Sequence, residues 1–493
     1  MKKKLFLKKF IAVLTVLVLT AGCGSKEVTT ETHNVVTVPE KLSMLEEPEY
    51  VYEKEDTLPS IMVDLSGYLP EGEKLAIIEA QYLPRTFKVC DKSTGEVVFT
   101  GNIDLTECPE DGEKVTGYAD FSELTEEGEY YIEADLLGRS KDFSIKHGVY
   151  RDVLKETFRR LRELRDNSEP KLYYLENSSD KVVTLAGGYY TSEDKKKDVA
   201  EGCLMVLDIL TGIDFFEKAY TDDWGINESG NKIPDILDEA VFEMNWLFMM
   251  QNPETGGVYA SLSPVENRNG TFEVLGETTK ATAYFCATMA RFSYVYKKYD
   301  AAYSKKCLDA AGKAWKCMEA NSTLVDGTQM FRAAVEMYRA TGYAVYSKAI
   351  NAYLKDNADK DYEERIALDG AITYMDSTRA TDVNYCTKLM EHYMSRTEEK
   401  SASAKSSRYL VETGDRDEAV LLRNLVELVI VDYIIANREY QEIEENYFHY
   451  LCGRNPESEF CTDYRYSPDA YCEFLVLLGK LTLLYPDVTE ETD

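Results

Sequence analysis

The hydrophobic period of this chain changes once, near Tyr150, and that change limits what it can fold into. Before it, short strand-like runs recur every ~10 residues: 60–65, 74–80, 86–90, 96–100, 118–121, 129–133 and 140–145. Turn signals such as Ser93-Thr94-Gly95 and Glu126-Glu127-Gly128 separate them. Short alternating runs with frequent turns predict a β-sandwich over 59–148. After it, Val153, Leu154, Thr157, Phe158 and Leu161 form one helical stripe, and Val199, Cys203, Val206, Leu207 and Leu210 form another. Ten more helical segments are read near 234–251, 278–299, 301–321, 328–341, 343–356, 360–373, 379–396, 415–438, 440–452 and 469–485. Most are joined by short loops, so consecutive helices pair antiparallel. The expectation for 149–485 is a ring of six hairpins whose loops form a cleft at one end.

The N-terminus reads as a targeting segment. Lys2, Lys3, Lys4, Lys8 and Lys9 form a basic region before the apolar run from Phe10 to Leu19, which is too short to span a bilayer. Leu19-Thr20-Ala21-Gly22-Cys23 is similar to a bacterial lipobox, with Thr20 where Leu is usual and Cys23 as the lipidated residue. The expectation is an exported chain held on the outer face of the bacterial membrane by lipid on Cys23. An ordinary cleaved signal peptide is the alternative. Residues 24–58 are rich in Thr, Glu, Val and Pro and read as a flexible tether.

With 56 Lys and Arg against 88 Asp and Glu, the formal charge is −32, which argues against a nucleic-acid partner. Besides Cys23, ten cysteines remain. Cys203 and Cys286 fall on apolar helix faces, so mostly free thiols are expected. No C-x-x-C and only four His argue against a Cys/His zinc site, and no loop carries the spacing of a calcium site. Neither a metal nor a cofactor is expected.

The stretch with most chemistry is Gly187-Gly188-Tyr189-Tyr190-Thr191-Ser192-Glu193-Asp194. Aromatic rings can stack a sugar and carboxylates can activate a water. Tyr189 and Tyr190 are candidate platforms or buried scaffold. Trp224, beside Asp222 and Asp223, is a further candidate platform. Asp194 is a candidate general base or simply a helix N-cap. Trp246 reads as core.

Several motifs, in order, resemble glycoside hydrolase family nine. They are Ser66-Gly67-Tyr68-Leu69-Pro70, Gly187-Gly188-Tyr189-Tyr190, Asn227 to Ala240, Gly256-Gly257-Val258-Tyr259, Tyr338-Arg339-Ala340-Thr341-Gly342 and Gly453-Arg454-Asn455-Pro456. The resemblance covers about 60–485. It implies an N-terminal immunoglobulin-like β-sandwich, an all-α (α/α) six-hairpin toroid, and inverting hydrolysis of a β-linked glucan, as in endo-β-1,4-glucanases. Members typically carry Gly-Gly-Trp-Tyr-Asp-Ala-Gly-Asp at the catalytic loop. On that pattern Asp194 keeps the general base, and Thr191 replaces the other Asp. Members also carry a His-His-Arg loop and an Asn-Glu pair that supplies the general acid. The interval from Glu457 to Pro468 contains neither; Glu457, Glu459, Asp463 and Asp469 are its nearby carboxylates. The expectation is therefore weak or lost hydrolysis. The alternatives are a non-catalytic glycan-binding protein and a structural surface protein on the same scaffold.

Overall fold

The computed structural model describes residues 60–486 except 107–113, 267, 269, 361–364, 413–417, 437 and 461–467. The leader, Cys23, the tether, Cys108, Cys461 and Asp463 lie outside the described residues.

The first eight strands are β1 (Ile61–Met62), β2 (Leu75–Ala80), β3 (Thr86–Asp91), β4 (Val97–Leu105), β5 (Val115–Asp120), β6 (Gly128–Ala134), β7 (Gly138–Arg139) and β8 (Phe143–Ile145). They pair antiparallel in the order β1-β2-β5-β4-β3-β6-β7, with β8 also on β6. Inward positions alternate as a period of two requires: Tyr130, Ile132 and Ala134 on β6 are buried while their neighbours are not. Ile78 and Ala119 from one half share a single core with Phe87, Val89, Ile132 and Phe143 from the other. The expected sandwich is thus present. Tyr68 stands edge-on to Phe121 and Phe143 at its centre, at 5.2 and 5.5 Å.

Twelve helices follow among the described residues. They are α1 (Val149–Glu163), α2 (Val199–Phe216), α3 (Asp235–Met249), α4 (Thr279–Tyr296), α5 (Ala301–Ala320), α6 (Gly327–Thr341), α7 (Ala344–Asn357), α8 (Arg365–Asp376), α9 (Val383–Ser406), α10 (Glu418–Ile435), α11 (Arg438–Leu451) and α12 (Pro468–Leu484). The even-numbered helices form the inner ring. Contacts run α12–α2–α4–α6–α8 and α10–α12, with α9 touching both α8 and α10. Odd-numbered helices pack outside: α1 on α12, α3 on α2, α5 on α4, α7 on α6 and α11 on α10. Helices buried on nearly all sides, such as α2 and α12, belong inside; one-sided stripes, such as that of α1, belong outside. This is the six-hairpin toroid.

Two features were not anticipated. A five-stranded sheet, β10-β9-β14-β13-β11, is assembled from β9 (Lys171–Leu175), β10 (Val182–Leu185), β11 (Lys197–Asp198), β13 (Ser261–Pro264) and β14 (Phe272–Val274). A two-stranded ribbon, β12 (Val258–Tyr259) with β15 (Glu277–Thr278), lies in the same connection. These strands are too short to show a period. The inner helices also bury ions: Arg291 and Arg339 meet at Asp214, and Lys480 bridges Asp432 and Glu444. Sandwich and toroid share buried contacts, chiefly Asp64 with His449 at 2.6 Å and the Leu65 amide on the Cys452 carbonyl at 2.8 Å.

Candidate active site

All inner helices begin at the same end of the ring, so the loop 186–198 and the ribbon-bearing connection 250–278 share that end. Two glycines shape the first loop. Gly187 and Gly188 have φ of 71° and 82°, and a Cβ on Gly188 would lie 2.6 Å from the Trp246 ring. Trp246 is core, as its helical context suggests.

A buried polar floor holds the loop. Lys197 donates to Asp166 and to the Gly187 carbonyl, both at 2.6 Å. Burial raises the Asp166 carboxyl, but hydrogen bonds from Lys197 and Ser168 overcome it and leave the pKa at about 2. Burial lowers Lys197, and Asp166 offsets part of that. Glu243 on α3 accepts from the Tyr189 amide at 3.0 Å. Its burial pushes it up to about 8, with Lys197 offsetting only part.

The candidate residues divide on this floor. Tyr189 is fully buried, edge-on to Phe242 at 5.7 Å, so it is scaffold and cannot stack a sugar. Tyr190 is half-buried; burial and then Asp166, which meets its hydroxyl, push it up to about 12. Tyr173 of β9 stands within its electrostatic reach and is a second half-buried ring that sequence reasoning missed. Thr191 closes the loop on itself: its amide and hydroxyl donate to the Lys196 carbonyl, and its hydroxyl accepts from the Asp198 amide.

Asp194 is exposed on this loop. Ser192 donates to its carboxylate, and the Lys196 amide donates at 3.2 Å. With the Lys196 ammonium, these hold it below the usual carboxylate range despite slight opposing desolvation. The cap of α2 is Asp198, which accepts from the amides of Ala200 and Glu201 and pairs with Lys196 at 2.9 Å. Asp194 is therefore not the cap. Glu201, in the first turn of α2, is raised by burial, then by Asp198 and Asp469, and lowered by a bond with Thr191. Asp469 opens α12, so its charge arrives from the last hairpin. Glu457 and Glu459 are exposed on the loop tied to the sandwich, where Lys141 donates to the Ser458 carbonyl.

Trp224 does not join this site. It follows the far end of α2, whose 18 residues span about 27 Å. There it packs edge-on to Phe158 at 4.7 Å, and its amide donates to Asp235. A loop polar enough to suggest a platform lies on the opposite end of the toroid from Asp194.

A sandwich fused to a toroid of six helical hairpins, with tyrosines and carboxylates at the inner helix N-termini, defines a glycoside-hydrolase-like scaffold. Residues 150–465 match the model of glycosyl hydrolase family 9, and 56–139 match the cellulase N-terminal ig-like domain. The chain belongs to glycosyl hydrolase family 9. It is similar to endoglucanase D of Acetivibrio thermocellus, with 28% identity over 369 residues, covering 65% of this chain and 58% of that one. A xyloglucan-specific endo-beta-1,4-glucanase of Bacteroides ovatus is 26% identical over 349 residues, with 58% of each chain covered. The chain thus spans 58% of the length of these relatives. A metagenome-derived family 9 endoglucanase shares the fold at a TM-score of 0.74 and 20% identity, over 85% of this chain and 98% of that one. A Bacteroides ovatus family 9 structure does so at 0.74 and 18%, over 87% and 99%.

Proposed function

We propose that this chain is a surface lipoprotein that binds a β-linked glucan at the Tyr190 end of the toroid and hydrolyses it weakly or not at all. The observation that carries this reading is the condition of Asp194. A general base works best with a pKa near the working pH. Asp194 is instead held low, engaged by Ser192 and Lys196, and beside a lysine ammonium. Thr191 can hydrogen-bond a water but cannot take its proton, and its hydroxyl already serves the loop. Half-buried Tyr190 and Tyr173 need no proton transfer to stack a sugar face. Membrane anchoring through Cys23 follows from the lipobox-like sequence. The test combines glucan co-sedimentation with a reducing-end assay on a panel of β-glucans. Binding without new ends supports the proposal. Turnover of order 1–10³ per second, lost in Asp194→Asn, overturns it.

One observation favours a second reading, residual hydrolysis. Asp194 is lowered while Glu201 is raised, and carboxyls pushed apart in this way suit base and acid roles. Turnover lost equally in Asp194→Asn and Glu201→Gln, with glucan binding retained, would establish it.

A further inference from the structure

Four lysines stand around the tyrosines of the candidate site: Lys171, Lys195, Lys196 and Lys197. Two of them are engaged. Lys197 is buried against Asp166, and Lys196 pairs with Asp198 at 2.9 Å. Lys195 and Lys171 are exposed and make no ion pair among the described residues. Lys195 holds its ammonium 5.8 Å from the centre of the Tyr190 ring, and Lys197 lies 5.4 Å from the same ring. An ammonium at that distance is within reach of the substituents of a sugar seated on the ring. Lys171 opens β9, and its charge reaches Lys197. It shares a face of the strand with Tyr173, two residues further on. Each half-buried tyrosine thus has an unpaired ammonium near it. Lys195 also has φ of 65°, a left-handed conformation that suits glycine or asparagine and that lysine adopts only under constraint. An outlier of this kind points to a use for the side chain it carries.

The carboxylates of the same region are occupied elsewhere or stand apart from these two lysines. Asp166 takes Lys197, Asp194 accepts from Ser192 and from the Lys196 amide, and Asp198 caps α2. Glu201 is bonded to Thr191. Glu169 and Glu193 are exposed and pair with neither lysine. Among the described residues, Asp166 is the one carboxylate whose charge acts on the hydroxyls of Tyr190 and Tyr173, and it is matched by Lys197. The chain as a whole carries −32, but charges further off than about 8 Å are screened at physiological salt. What docks on the rings is decided by the charges next to them. A neutral sugar needs only the rings to stack; two unpaired ammonium groups suit a carboxylate. We propose that the glycan held at this end is acidic, with a uronic-acid residue on Tyr190 whose carboxylate is received by Lys195 and, from the β9 side, by Lys171. This rests on the glycan-binding reading of the Tyr190 end and adds the chemical class of the sugar.

The test compares two probes by calorimetry on the full chain: a β-linked gluco-oligosaccharide, and the same oligosaccharide oxidised at C6 to the carboxylate. The oxidised probe should bind about tenfold tighter at low salt, the worth of one charge-assisted contact. That preference should shrink at about 1 M salt, where charges a few ångströms apart are screened. Lys195→Asn keeps a residue at ease in the left-handed conformation and removes the ammonium, so the ratio of the two affinities should fall toward one. Lys195→Arg should keep the ratio, and Lys171→Gln should lower it in part. A neutral probe that binds as tightly as the oxidised one, or tighter, overturns the acidic-sugar proposal and leaves the glycan-binding reading standing. A preference for the oxidised probe that survives both Lys195→Asn and Lys171→Gln also overturns it, since the lysines would not be its source. Failure of both probes to bind overturns the glycan-binding reading and this proposal with it.

Discussion

Replacing Lys197 by methionine removes the cation from the floor beneath the candidate loop. Its ammonium is almost fully buried and makes two short bonds, one to Asp166 and one to the Gly187 carbonyl. Methionine fills a similar volume but leaves the Asp166 carboxylate buried with Ser168 and the Tyr190 hydroxyl against it and no cation. Breaking one side of a buried pair costs about 3–5 kcal/mol, so Lys197→Met should lose that much stability at pH 7. The pH dependence sharpens the test. Asp166 is depressed from an ordinary 3.8 to about 2 in the folded protein. Its contribution is therefore present above about pH 4 and lost as pH falls toward 2. In Lys197→Met the lowering bond and charge of Lys197 are lost, so burial counts for more and the depression of Asp166 shrinks. The stability gap between wild type and variant should narrow as pH falls through that window. Denaturant unfolding at pH 7, 4 and 2.5 measures it, and Asp166→Asn with Lys197→Met closes a double-mutant cycle. A variant as stable as wild type at pH 7, or a gap that stays constant to low pH, refutes the argument.

Glu243→Gln should raise stability at pH 8: the wild-type carboxyl is pushed up from 4.5 to about 8, so wild-type stability falls as pH rises between those values, and the amide removes that slope. Thermal melts of both proteins at pH 5 and 8 check it. Gly188→Ala should cost about 2–4 kcal/mol, from left-handed strain and overlap with Trp246, read as a lower denaturant midpoint. Tyr190→Ala should weaken glucan binding about tenfold, of the order of one lost stacking contact, whereas Trp224→Ala should leave it unchanged. Co-sedimentation of the two variants against the same glucan decides this; equal losses would place Trp224 in the binding surface.

The period switch at Tyr150 made both domains legible, because a sandwich strand and a toroid helix each bury one face and write that face into the sequence. The stripe of Val153, Leu154, Phe158 and Leu161 is outer-helix packing, and the unbroken burial of α2 is inner-ring packing. The five-stranded sheet was not legible, since β9 and β14 pair in parallel across about a hundred residues with few residues each. At the site, the glycine pair and the engaged Asp194 were found, but the cap was misread. Asp194 and Asp198 both precede the apolar helix, and only the positive φ of Lys195 between them shows that the chain has not yet turned helical. Trp224 was drawn to the site by its acidic neighbours, although one helix length separates it from Asp194. Asp166, Glu201 and Lys197 carry no local signal. Their roles come from burial and from partners that folding alone brings near.

The bond between Asp64 and His449 joins residues 385 positions apart, near opposite ends of the described chain. For a chain that emerges N-terminus first, this sets an order of events. The sandwich can close early on its own core, while Asp64 waits, wet and solvated, for a histidine in the penultimate helix. Final locking is thus a late step that reports arrival of nearly the whole polypeptide. A chain cut short in its last two helices would leave an open socket on an otherwise folded module, a defect that a protease could read.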